Sequence, residues 1–318
     1  SRGLGDVYKR QLHIPKDALY KGKPRSRIAY LCASKRMDWE PVAWTEFDGK
    51  NIVFTDIQKG PVMRVATYER GRLRFWTDPF EINVSNEFHF FTPSDSVQDV
   101  TLFAKYTLRA DEMFLNRMIG GTFEGSNDPD FREKEVLYLI NEKPKRLQTV
   151  VQSYSSKSYR YVRYIGPKDS HCNIAEAAFY TPNDTASLKG KVIGTPGCFQ
   201  KDGSHEYTNV FDGDVTTSFD YIEPSGGWSG LDLGTPKQIG RIVYTPRSYD
   251  NYIRSGDDYE LFYCARRNNW KSLGDQRSKA DSLIYIKIPV NALLLLCNNT
   301  RGIQERIFVY TAAEQIWK

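Results

Sequence analysis

Residues 245–258 read TPRSYDNYIRSGDD and gather Arg247, Tyr249, Asp250, Asn251, Tyr252 and Arg254 into one connection, with Phe219, Tyr221 and Trp228 in the loop before it. Sugars present apolar C–H faces and rings of hydroxyls, so a site for them needs an aromatic platform rimmed by planar polar groups. Arginine suits that rim because its fork holds two oxygens at once, including the carboxylate of an acidic sugar. A structural reading competes: Arg247, following a strand that ends Thr-Pro, braces its loop, and Trp228 fills the core of a small sandwich.

Catalytic spacings are missing. The chain has no H-E-x-x-H, no G-x-S-x-G and no phosphate-cradling G-x-x-x-x-G-K-[ST]. His171 and Cys172 are adjacent, which on a strand sends them to opposite faces instead of pairing base with nucleophile. His13, His89 and His205 are isolated. Asp257, Asp258 and Glu260 are neighbours in sequence, whereas the paired acids of glycoside cleavage come from separate elements. The expectation is a chain without an active site of its own, which leaves the activity of a longer parent open.

Composition narrows the partners. The 318 residues carry a formal charge of +5, with Lys and Arg dispersed, so a nucleic-acid footprint is not expected. The most apolar stretch, IKIPVNALLLLC, is too short and too interrupted to span a bilayer. Cys32, Cys172, Cys198, Cys264 and Cys297 are widely spaced without C-x-x-C, which reads as buried thiols; a Cys264–Cys297 bridge is the alternative. The opening SRGLGDVYKRQ, residues 1–11, reads as a processing scar, so a missing signal peptide carries no information about location.

The elements that must position these residues are strands. Residues 12–108 alternate short apolar runs (RIAYLCAS, NIVFTDI, VMRVATY) with the turns FDGKN, QKGP and ERGR, the pattern of a small antiparallel sandwich. LFAKYTLRADEMFLNRM then reads as a strand or a short helix, with a boundary near Arg109. Beyond it a half-repeat emerges. MIGGTFEGSND matches IRSGDDYELFY, and the strand holding Ile174, Glu176 and Phe179 matches that holding Ile303, Glu305 and Phe308. In GLDLG, Leu231 and Leu233 oppose Asp232, and in GRIVYTPR, Ile242 and Tyr244 share a face, so both have the period of half-buried strands.

In order, VFDGDVTTSF, GGWSGLDLG, IGRIVYTPR, GDDYELFY and GIQERIFVY resemble a discoidin-like domain, the coagulation factor five/eight type C module with the galactose-binding-like fold, as found in Bacteroidetes surface proteins. GGTFEGSND and YRYVRYIGP with CNIAEAAFY resemble the later half of that module. The first part more loosely resembles transthyretin-like or carboxypeptidase-regulatory modules. The expected fold is all-β: a small transthyretin- or Ig-like sandwich at 12–108, a discoidin-like half-module at 109–185 and a complete galactose-binding-like jelly roll at 186–318.

The resemblance implies a structural calcium at the Asp-Gly loop. Asp212 fits the side-chain ligand, Val210 and Asp214 would lend carbonyls, Thr217 its hydroxyl and carbonyl, and Glu305 the closing carboxylate; a hard cation needs such oxygens. The alternative is a plain Asx turn at Asp212-Gly213 with Glu305 an exposed strand carboxylate. Glu176 has no such loop before it and reads as an ordinary strand residue. The implied function is a non-catalytic carbohydrate-binding or adhesion module facing a glycan or glycoprotein surface, extracellular, periplasmic or on the cell surface. The other reading is a rigid spacer of an enzyme with a transglutaminase-like core or of peptidase type.

Overall fold

The computed structural model describes residues 11–22, 26–47, 51–55, 57, 60–83, 85, 87–106, 109–266 and 269–318. From the N-terminus come β1 (Gln11–His13), β2 (Ile28–Lys35), β3 (Asp38–Glu46), β4 (Val53–Thr55), β5 (Met63–Glu69), β6 (Arg72–Phe75), β7 (Phe80–Ile82), β8 (Phe88–Phe90) and β9 (Val97–Leu102). Helix α1 (Arg109–Arg117) leads into β10 (Thr122–Ser126), β11 (Lys134–Leu139), β12 (Thr149–Gln152), β13 (Ser158–Ile165), β14 (Ile174–Tyr180), β15 (Lys191–Gly194), β16 (Trp228–Gln238) and β17 (Arg241–Pro246). The chain ends in β18 (Asp258–Cys264), β19 (Trp270–Arg277), β20 (Leu283–Pro289), β21 (Leu294–Asn298), β22 (Ile303–Thr311) and β23 (Glu314–Trp317). With 49% strand and 4% helix, the fold is all-β, as expected.

Two compact units divide the chain: residues 1–106 together with 254–318, and residues 107–253 between them. The expected boundary near Arg109 falls within a few residues of the division at 106/107, whereas the one at 185/186 is corrected, and the sheets give the reason. In the 107–253 unit, one sheet runs β11-β10-β13-β16-β15 and a second runs β12-β17-β14. β13 takes β16 as its antiparallel neighbour, Val162 opposite Leu231, and β14 takes β17, Phe179 opposite Ile242. A half-module ending at 185 would leave β14 without its partner strand and β13 paired only on its β10 side. The half that the first copy lacks is supplied by residues that follow it.

The two sheets close on one core. Phe123, Val162, Tyr164 and Leu231 meet Ala177, Phe179, Ile242 and Tyr244, all at most 3% exposed. The period-two expectation holds in both strands named for it. Leu231 and Ile242 are buried, while Asp232 points away and holds Arg160 through two bonds of 2.8 and 2.9 Å.

In the other unit the sheet β3-β2-β5-β7-β8, with β6 beside β5, is covered on both faces. Ala29, Leu31, Met63 and Val65 pack toward Leu12 and Phe54 of the β1-β4 pair. Cys32, Ala66 and Phe75 pack against Cys264, Leu293, Leu295 and Ile307 from the sheet β19-β18-β21-β22-β23. Residues 12–106 thus expose an apolar face that only the C-terminal strands cover, so they are not a separate sandwich. Arg70 and Gly71, both at positive φ, make the expected two-residue hairpin turn. Asp48, Gly49 and Lys50 of the FDGKN turn, Gln58 and Lys59 of QKGP, and residues 1–10 lie outside the described residues. Gln11, assigned to the scar, pairs with Thr55 in β1.

The half-repeat holds for three strands and then breaks. β10, β11 and β13 occupy the same sheet positions as β18, β19 and β21. β22 then stays in its sheet beside β21, whereas β14 joins the opposite sheet beside β17. Among the described residues no helix is long and apolar enough to cross a membrane, and all five cysteines are free and buried.

Candidate functional site

A 3-10 turn at Tyr207–Phe211, anchored by the fully buried Val210, delivers Asp212 to the surface. The Asx turn expected there forms. Asp212 Oδ1 accepts the Asp214 amide at 2.7 Å, and Oδ2 accepts the Thr217 hydroxyl at 2.8 Å. That hydroxyl also reaches the Asp214 carbonyl at 2.9 Å, while the Asp214 carboxylate takes the Thr216 amide and hydroxyl. The acid that joins this loop is Glu176 of β14, whose Oε1 accepts the Gly213 amide at 2.8 Å. Glu305 lies on β22 in the other unit and is buried, so it is not the exposed strand carboxylate of the alternative reading. Because Glu176 and Glu305 share a sequence pattern, only the crossing of β14 to the second sheet separates their roles.

Burial first, and the neighbouring Asp212 second, push the Glu176 carboxyl up to about 8. The folded unit therefore keeps a proton, between the ordinary carboxylate range and about pH 8, that the unfolded chain releases. Stability falls as pH rises through that window. In calcium-free buffer the unfolding midpoint is expected to drop by at least about 4 °C between about pH 5 and about pH 8. Glu176→Gln is expected to flatten the curve; a wild-type midpoint that does not move would contradict the arrangement.

At one end of the same unit, β17 runs into Arg247. Its Nη1 meets Asp220 Oδ2 at 2.5 Å, with the side chains 13% and 11% exposed. Asp220 Oδ1 accepts Asn173 Nδ2 at 3.2 Å, the Arg247 amide donates to the Asn173 carbonyl at 3.2 Å, and the guanidinium carbon stands 4.5 Å above the Phe114 ring of α1. Arg247 is thus a brace, the competing expectation for it. Tyr249 is 45% exposed and packs on Phe114 at 5.7 Å between ring centres. Asn251 and Tyr252 are buried, Phe219 is a core residue, and Tyr221 is half-buried against that core. Asp250 turns the loop at positive φ. Trp228 sits elsewhere, packed on Phe131 at 5.6 Å, with the Arg163 guanidinium 5.1 Å from its ring and salt-bridged to buried Glu124 at 2.7 Å. Arg254 belongs to the other unit.

Residues that sequence reasoning missed complete this end. Phe199, 56% exposed, donates its amide to the Asp220 carbonyl at 2.8 Å and meets His171 edge-on at 5.2 Å. His171, Cys172 and Asn173 form a run of three left-handed residues, not the strand expected for His171-Cys172. Such strain is held only where the surroundings over-determine it. Here His171 Nδ1 donates to the Tyr221 carbonyl at 2.8 Å, and the Tyr221 amide returns to the His171 carbonyl at 2.7 Å. Gly166 makes room, since a Cβ there would lie 2.7 Å from Cys172 Cα. The buried oxygens Asn173 Oδ1 and Asn251 Oδ1 accept no hydrogen bond from the described protein groups.

Burial also raises the thiols, Cys32 to about 12 and Cys264 and Cys297 to about 11, with Cys172 higher still, which leaves them poor nucleophiles. Among the described residues no three His, Cys, Asp or Glu side chains converge as a metal cluster. Compared with known protein families, curated proteins and solved structures, the chain matches none.

Proposed function

We propose that the 107–253 unit is a non-catalytic carbohydrate-binding module, engaging a glycan or glycoprotein surface outside the cytoplasm. The observation that carries this reading is the end built on the Asp220–Arg247 pair, where the exposed Tyr249 ring lies 6.0 Å from the Arg247 guanidinium and the exposed Phe199 is tied by its amide to the Asp220 carbonyl and by its ring to His171. Exposed rings on a braced frame suit the apolar face of a sugar and lose little entropy on binding. The discoidin-like likeness supports it too. GGTFEGSND, CNIAEAAFY, VFDGDVTTSF, GGWSGLDLG and IGRIVYTPR fall in this one unit of eight strands, while GDDYELFY and GIQERIFVY fall in the other. Arg247 is already neutralised by Asp220, which favours a neutral sugar over an acidic one. No nucleic-acid partner is proposed.

Asp212, Thr217, the Val210 and Asp214 carbonyls and Glu176 suit a structural calcium: two carboxylates with neutral oxygens are a hard-cation donor set. Bound there, the cation would pin the 3-10 turn to β14 and neutralise the pair that otherwise holds a proton.

Phe199→Ala and Tyr249→Ala are each expected to weaken glycan affinity roughly tenfold, as anchoring aromatics do. Both are exposed, so the fold should survive. Retained affinity in the double variant would reject this site. The burial of Phe219, Asn251 and Tyr252 favours a second reading, a rigid spacer without a ligand of its own.

A further inference from the structure

Three N-x-[ST] triplets occur in the chain: Asn83-Val84-Ser85, Asn183-Asp184-Thr185 and Asn298-Asn299-Thr300. Such a triplet accepts an N-linked sugar when it stands on a surface loop, so the fold decides which of the three serves. The transfer joins the anomeric carbon of a diphosphate-activated sugar to the Asn side-chain nitrogen; the diphosphate leaves with the bonding pair, and the nitrogen gives up one proton. The carboxamide must enter the transferase, and any hydrogen bonds it already makes must first break.

Asn298 is excluded by burial. It is 0% exposed, its Nδ2 donates to Asp257 Oδ2 at 2.8 Å, and its Oδ1 accepts the Arg301 amide at 3.1 Å. Asn83 is exposed but committed: Nδ2 donates to Glu87 Oε2 at 2.7 Å, and Oδ1 accepts the Ser85 and Glu87 amides, both at 2.9 Å. Val84 beside it lies outside the described residues. Asn183 differs on each count. Asn183, Asp184 and Thr185 are all exposed, and among the described residues neither the Asn183 carboxamide nor the Thr185 hydroxyl has a hydrogen-bond partner.

The loop that carries them, between β14 and β15, is pinned by its backbone. The Leu188 amide donates to the Phe179 carbonyl at 2.7 Å, and Arg241, stacked on Tyr180 at 3.8 Å, donates to the Asp184 carbonyl at 3.4 Å. Gly240 presses on Pro182, where a Cβ would lie 2.5 Å from the Pro182 Cα. We propose that Asn183 is an N-glycosylation site, the acceptor that the folded chain offers to a diphosphate-activated sugar. The attached sugar is distinct from the bound glycan proposed above, and neither needs the other.

Incubation of the purified, folded full chain with a soluble N-glycosyltransferase and UDP-glucose, mapped by intact mass and peptide fragmentation, tests this. A single hexose is expected, on Asn183. Asn183→Gln and Thr185→Ala, both at exposed positions, should abolish the addition with the melting point unchanged. Thr185→Ser should retain it, and Asn83→Gln should behave as wild type. No addition to the wild-type chain, addition at Asn83 or Asn298 in its place, or a mass gain that survives in Asn183→Gln would each overturn the assignment.

Discussion

Arg247→Ala is expected to lower the unfolding midpoint of the 107–253 unit by roughly 10 °C. The pair it breaks is largely buried, 13% and 11% exposed, at 2.5 Å. Removing one partner of a buried pair costs about 3–5 kcal/mol, because the survivor is left charged and desolvated. For a unit of this size each kcal/mol moves the midpoint by about 2–4 °C. Asp220 would keep only Asn173 Nδ2 on its carboxylate. The guanidinium would also leave Phe114, loosening α1 from the loop. Asp220→Ala should be similarly damaging, and the double variant should lose clearly less than the sum, with a coupling of at least about 1 kcal/mol. A single variant melting within about 2 °C of wild type would mean that Arg247 acts as an exposed, ligand-facing residue after all.

Calcium is the second large effect. A cation bound only by the folded state raises stability by RT ln(1 + [L]/Kd), about 2.7 kcal/mol at one hundred times Kd. Extracellular sites of this chemistry bind at about 0.1–1 mM. At roughly 10 mM calcium the midpoint should therefore rise by about 5–10 °C. Asp212→Asn and Glu176→Gln should each remove most of that rise, since they supply its two carboxylates. Glu305→Gln should leave the rise intact whatever it does to the baseline, because it is Glu176 that holds the Gly213 amide of the loop. Loss of the rise in Glu305→Gln, with retention in Glu176→Gln, would reverse the assignment.

Local periodicity was the most legible layer of this sequence. Leu231 with Asp232, and Ile242 with Tyr244, declared their faces because the strand period is two and one face is buried. The Asx turn at Asp212 was legible for a similar reason, a short polar side chain capping amides two residues ahead. Connectivity was not legible. Ile174, Glu176 and Phe179 match Ile303, Glu305 and Phe308 in type and spacing, yet β14 crosses to the opposite sheet and β22 does not. Strand pairing between distant segments leaves no mark on either strand's own periodicity, so the boundary fell at 185 when the sheet continues through it.

The site was half legible for a different reason. Aromatic and basic residues in a loop announce a surface only if their rings face out, and burial is decided by what packs above them. Tyr249 is exposed, while Tyr252, three residues on, is 5% exposed. Asp220 was hidden between Phe219 and Tyr221 in what reads as an alternating strand, and Phe199 carried no local cue. The sequence allows Arg247 two roles, and the salt bridge to Asp220 decides between them.

Binding of the intact chain to a printed glycan array in calcium-containing buffer tests the central claim most directly. The account predicts saturable retention on glycans that share one neutral terminal sugar, lost in the Phe199→Ala/Tyr249→Ala variant. An array on which no glycan is retained would contradict it and leave the 107–253 unit as a spacer.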